Sequence, residues 1–144
     1  MEIYTIGFTK KSAKDFFERL RTAGVRKLID VRINNTSQLA GFARRDDLNY
    51  FLESILGIAY IHEPRLAPTQ ELLRSYRGKE IDWNEYQRRF LSLLSQRRVE
   101  QAFPQEFFES SVLLCSEATA DRCHRRLIVD YLNEHWRDIR AVHL

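Results

Sequence analysis

Proline, glycine and cysteine are all scarce, at three, five and two in a chain of 144 residues. Three prolines mark no linker, and no low-complexity tract or internal repeat interrupts the chain, so residues 1–144 are expected to fold as a single domain. No apolar run approaches the roughly 20 residues that a membrane-spanning helix needs. The opening MEIYTIGF is acidic and strand-like, not a basic segment followed by a long apolar core, which argues against a secretory signal. Two cysteines without such a signal imply a reducing, cytoplasmic setting and free thiols. A domain of this length buries roughly two-thirds of its unfolded surface, so it needs neither disulfide nor metal to fold.

Lysine is scarce too. Of the 23 basic residues only five are lysine and 18 are arginine, against 20 acids, for a net charge of +3. The planar guanidinium suits bidentate contact with phosphate or carboxylate, which keeps an anionic ligand in view. Base usage in the source genome produces the same bias, so composition alone does not decide.

The apolar pattern is the informative part. EIYTIGF alternates and is rich in β-formers, predicting a first strand. Ser12 with Asp15 three residues on caps a helix through Phe16, Phe17 and Leu20 that ends at Gly24. KLIDVR is a second strand, and residues 33–45 carry no periodicity and read as a long loop, a feature usually functional or mobile. Asp46 or Asp47 then caps a helix presenting Leu48, Phe51, Leu52, Ile55 and Leu56, stopped by Gly57. IAYIH is strand three, closed by Pro64. Residues 69–109 read as helical, with Asp82 and Glu85 as a second capping box. SVLLC is strand four, Arg122 to Trp136 the last long helix, and IRAVHL a final strand.

Strands alternating with helices predict an α/β fold: a mainly parallel sheet of about five strands with helices on both faces. Ligands of open α/β sheets sit at the carboxyl ends of the strands. Strand one ends at Gly7, strand two at Asp30 and Arg32, strand three at His62, and strand four at Cys115 with Glu117 beyond. Polar, chemically capable side chains converge on this rim and not on the opposite one.

At these residues the chain resembles the bacterial and archaeal domain of unknown function 488 family. The resemblance runs through Thr5-Ile6-Gly7, Asp30-Val31-Arg32, Gly41-Phe42, Gly57-Ile58, His62, Pro64 and Leu66. It is most specific in Cys115, Glu117, Cys123, His124 and Arg125, a Cys-x-Glu-x5-Cys-His-Arg arrangement. It implies an α/β fold and a shared site but no activity. After Leu66 the family usually has two glycines, whereas this chain has Ala67 and Pro68, which stiffens that loop.

The chemistry gathers in LLCSEATADRCHRR, residues 113–126. Cys115 lies before a helix expected to start near Thr119 or Asp121, whose amide groups and dipole lower a thiol's pKa and hold an anion. Glu117 is placed to act as acid or base, and His124 as a proton carrier. The catalytic candidates are therefore Cys115, Glu117 and His124, and the ligand-binding candidates Gly7, Asp30, Arg32, His62 and Arg125. The bland alternative makes Cys115 a buried small side chain and Asp30–Arg32 a local ion pair. On the helix Asp121 and Arg125 are spaced to pair, with His124 toward the rim and Cys123 packed inward.

LIDVR is also similar to rhodanese domains and their phosphatase relatives. Their Cys-x5-Arg loop is broken here, since Asp121 stands where the arginine belongs and two acids in SEATAD repel an oxyanion. No Cys-x2-Cys pair exists, and Cys123 and His124 diverge by about 100° on a helix, so no metal site is expected. A Cys115–Cys123 disulfide is within geometric reach but disfavoured in a cytoplasm. No cofactor follows from the residues. The leading expectation is an enzyme or ligand-binding domain for a small anionic, phosphate-bearing or similar, molecule at the rim. The second is a nucleic-acid-binding accessory protein, from the arginine pairs in FARRD, RRFLSLLSQRR and RCHRR. Membrane association is not expected, and oligomeric state is open.

Overall fold

The computed structural model describes residues 1–36, 41–117 and 122–144. Five strands, β1 (Glu2–Gly7), β2 (Lys27–Asp30), β3 (Ala59–His62), β4 (Ser111–Cys115) and β5 (Arg140–His143), form one sheet in the order β3-β2-β4-β1-β5. Every pairing is parallel, with Gly7 opposite Cys115, Asp30 opposite Leu114 and Asp30 opposite His62. This is the expected single-domain α/β architecture. All five residues of β4 are buried, as a central parallel strand requires, whereas β3 and β5 are half-exposed edges.

Six α-helices accompany the strands among the described residues: α1 (Ala13–Ala23), α2 (Arg45–Phe51), α3 (Gln70–Arg77), α4 (Trp83–Gln96), α5 (Val99–Ala102) and α6 (His124–Trp136). Side chains alternate across the sheet, so each strand feeds two cores. Ile6, Leu28, Val112 and Leu114 pack on one face against Phe16, Phe17 and Leu20 of α1 and Leu48 of α2. Ile3, Ile29, Leu113 and Cys115 pack on the other against Phe90 and Leu94 of α4 and Leu127 and Ile128 of α6.

The helix ends follow local chemistry. Ser12 accepts from the Asp15 amide, and Asp82 from the Glu85 amide, as their spacing predicts. Gly24 and Gly57 close their helical segments in the left-handed region, at φ 70° and 67°. Two boundaries differ from expectation. α2 starts at Arg45 with no side-chain cap, so Asp46 and Asp47 lie inside its first turn, where the dipole favours them. It then widens into a π-helical turn over Leu52–Leu56 before Gly57. Thr69 caps α3 through the Leu72 amide, at the expected start of the helical stretch. Finally, α6 begins at His124 with Cys123 as its N-cap. The expected starts near Thr119 or Asp121 lie outside the described residues, and it is Cys123, not Cys115, that sits at this helix end.

Candidate functional site

β2 and β4 are neighbours, but the chain leaves β2 toward edge strand β3 and leaves β4 toward the opposite edge, β5. Connections that part in this way open a crevice at the carboxyl ends of the two strands. A pocket of about 380 Å³ occupies it. Arg32, Ile33 and Asn34 enter it from the end of β2, and Cys115, Ser116 and Glu117 from the end of β4. Arg122, Cys123 and His124 come from the start of α6, and Pro68, Leu73, Tyr76, Arg77 and Tyr86 from the α3–α4 side. One wall is apolar and aromatic. The charges are three arginines against one carboxylate, Glu117.

Of the eight site candidates, Arg32, Cys115, Glu117 and His124 line this pocket, while Gly7, Asp30, His62 and Arg125 stand behind it. The second group has definite work. Asp30 is fully buried and receives the Arg32 guanidinium through Nε and Nη2, both at 2.8 Å. The Tyr60 hydroxyl donates to the same carboxylate at 2.5 Å, and Asn35 at 3.4 Å. Burial, followed by the Asp30 charge, pushes the Tyr60 phenol well above its ordinary range. His62 donates from Nε2 to the Arg32 carbonyl at 2.9 Å, since a carbonyl only accepts. Together these contacts pin Arg32 in the pocket wall. Its Nη1 is buried and has no hydrogen-bond partner among the described residues.

The other buttress is Arg125. It is 2% exposed, and its Nη1 donates to the Glu117 carbonyl at 2.6 Å and meets the Cys115 sulfur at 3.0 Å. Burial pulls its pKa down to about 10, opposed by the Glu117 charge. The guanidinium thus stays charged near neutrality, directly beneath the Cys115 sulfur. Gly7 makes this possible: a Cβ there would fall 1.5 Å from the Glu117 carbonyl oxygen and 2.6 Å from Arg125 Nη1. Gly7 is therefore a spacer for the Arg125 contact and not part of the pocket lining. The expected Arg125–Asp121 pairing lies outside the described residues.

His124 donates from Nε2 to the Val31 carbonyl at 2.7 Å, which leaves the lone pair on Nδ1, 4.0 Å from the Cys123 sulfur. Its ring packs edge-on against Phe90, with centroids 5.5 Å apart. Burial pulls its pKa down to about 4, against the Val31 hydrogen bond that raises it. The ring is neutral at physiological pH and offers an acceptor, not an acidic proton. Cys123 packs inward as expected, 3% exposed within the core that holds Phe90 and Leu127, yet it also borders the pocket together with His124. Its sulfur is joined to that of Cys115 in a disulfide, contrary to the expectation that a cytoplasmic setting disfavours that bond. Neither cysteine is free of the other, contrary to the free thiols expected from composition.

The arginine pairs behind the nucleic-acid reading are largely engaged within the fold. Arg88 and Arg89 both bind Glu85, whose carboxyl they pull down to about 2. Arg97 donates to the carbonyls of Arg65 and Ala67, fastening the loop that carries Pro68 into the pocket wall. No group of three or more His, Cys, Asp or Glu among the described residues is arranged to hold a metal. No helix among them is long and apolar enough to cross a membrane.

Fold and pocket together define an α/β protein with a cysteine-floored, arginine-rimmed cleft at the switch point of a parallel sheet. Residues 12–132 match the family described as Domain of unknown function DUF488, and the chain belongs to it. Comparison with curated proteins and with solved structures found no match.

Proposed function

We propose that this protein binds a small anionic molecule, bearing a phosphate or carboxylate, in the pocket at the carboxyl ends of β2 and β4. The observation that carries this reading is the Nη1 of Arg32. It is a buried guanidinium donor without a partner among the described residues, held rigidly in the wall of a pocket with excess positive charge. A buried unsatisfied donor costs about 1–3 kcal/mol, and an anionic oxygen entering the pocket removes that penalty. Asp30 already occupies Nε and Nη2, so it fixes the direction of the remaining donor without quenching it. Arg77 and Arg122 supply exposed charge at the mouth, and Tyr76, Tyr86 and Leu73 supply a wall for the ligand's apolar part. Cys115 and Glu117 lie where they reach such a molecule, which makes the site suited to chemistry as well as binding.

Isothermal titration with inorganic phosphate and adenosine monophosphate tests the reading. Arg77 and Arg122 are the positions to change, because both are exposed and neither is part of the buried ion pair. Millimolar or tighter binding that weakens about five- to tenfold in Arg77→Ala, and again in Arg122→Ala, is expected. Absence of binding at low salt, or affinity indifferent to both substitutions, removes the proposal.

A further inference from the structure

We propose that Cys115 and Cys123 form a dithiol redox centre that exchanges with disulfides of small carboxylate-bearing thiols, Cys115 being the attacking sulfur. The inference rests on the anion-pocket reading for its choice of substrate and on the thiol geometry for its chemistry. Four observations carry it. Both sulfurs line the same pocket and touch each other. The Arg125 guanidinium sits 3.0 Å from the Cys115 sulfur, buried, with Gly7 cleared of a side chain so that it reaches there. A fixed buried cation at that distance favours thiolate over thiol. Cys123 instead faces the unprotonated Nδ1 of His124, which accepts from a thiol proton and orients it.

The two cysteines therefore sit in different environments, one suited to the anion and one to the neutral thiol, as an attacking and a resolving pair require.

The exchange balances as follows. The Cys115 thiolate attacks one sulfur of the entering disulfide, forming a mixed disulfide and expelling the first thiolate. The Cys123 sulfur then attacks Cys115, forming the Cys115–Cys123 bond and expelling the second. The two protons of the dithiol end on the two released thiols, and two electrons pass from protein to substrate. The carboxylates of such a disulfide match Arg77 and Arg122 at the mouth, and its aliphatic chain matches Leu73 and Tyr76.

The test uses the full reduced chain with oxidised glutathione and, for comparison, the uncharged bis(2-hydroxyethyl) disulfide, each rate divided by that of free cysteine. Thiol titration and intact-mass spectrometry are the readouts. The wild-type protein is expected to lose both thiols and gain an internal disulfide, at least tenfold faster with oxidised glutathione than with the uncharged compound. Cys123→Ser is expected to accumulate the glutathione adduct on Cys115, and Cys115→Ser to react at least tenfold more slowly. Wild-type protein that keeps both thiols with either compound overturns the proposal, even where phosphate binding is intact. Equal adduct rates on Cys115 and Cys123 in the two single variants overturn the assignment of the attacking sulfur. An internal disulfide formed at equal normalised rates from both compounds supports the redox centre while counting against the anion pocket.

Discussion

Replacing Gly7 by alanine is expected to be among the most damaging single-methyl additions this fold can suffer. The new Cβ would lie 1.5 Å from the Glu117 carbonyl oxygen, where real Cβ atoms stay beyond 3.0 Å, so that carbonyl must retreat by at least 1.5 Å. The obstacle is backbone, not the tip of a flexible side chain, so the strand end or the loop after β4 has to move. Either movement breaks the 2.6 Å hydrogen bond from Arg125 to Glu117 and disturbs the Arg125 contact with Cys115. Overpacking costs about 1–3 kcal/mol. Loss of a hydrogen bond to a buried charge costs a further 1.5–3 kcal/mol or so. A total of about 3–5 kcal/mol corresponds to a fall in Tm of roughly 9–15 °C for a domain of this length. Far-ultraviolet circular dichroism during heating at neutral pH measures it. Gly41→Ala is the control, since a Cβ there meets none of the described residues within 4 Å, and its Tm is expected within about 2 °C of wild type. A Gly7→Ala protein melting within 3 °C of wild type would refute the claim that Gly7 exists to admit Arg125.

Asp30→Asn leaves the Arg32 guanidinium buried without its counter-charge and is expected to cost about 3–5 kcal/mol in urea unfolding. Tyr60→Phe, which removes one donor to Asp30, should cost about 1.5–3 kcal/mol, and equal costs for the two would contradict the ion pair's primacy. His124 titrates near 4 when folded and near 6.5 when unfolded, so the unfolded state binds more protons between those values. Its contribution is therefore present above pH 6.5 and lost as pH falls toward 4, amounting to roughly 2–3 kcal/mol after allowing for its partial access to the pocket. The decline in stability from pH 7 to pH 4 should be shallower by that amount in His124→Gln, and parallel profiles would remove His124 as its cause. Ser12→Ala deletes the side-chain acceptor for the Asp15 amide and should lower Tm by about 3 °C, the equivalent of about 1 kcal/mol.

The sequence by itself determined the order and type of the elements, because their causes are local. Alternation in EIYTIGF, an apolar run in SVLLC, and capping boxes at Ser12 and Asp82 act over a few residues, and helices between strands leave a parallel sheet as the economical arrangement. The rim followed from the same logic, since parallel strands bring their carboxyl ends to one edge, and Arg32, Cys115, Glu117 and His124 meet there. What the pattern did not contain was which residues stand in front and which behind. Gly7, Asp30, His62 and Arg125 are placed by strand register and by packing across the sheet, as with Gly7 opposite Cys115 and Asp30 opposite His62. Arg77, Tyr76 and Tyr86 reach the pocket from elements distant in sequence, with no motif to announce them. Cys123 turned toward Cys115 because α6 begins at His124, leaving Cys123 as an extended cap free of helical side-chain geometry. Local physics writes the elements into the sequence, while the pairing of sulfurs and guanidinium depends on long-range register that only the folded chain establishes.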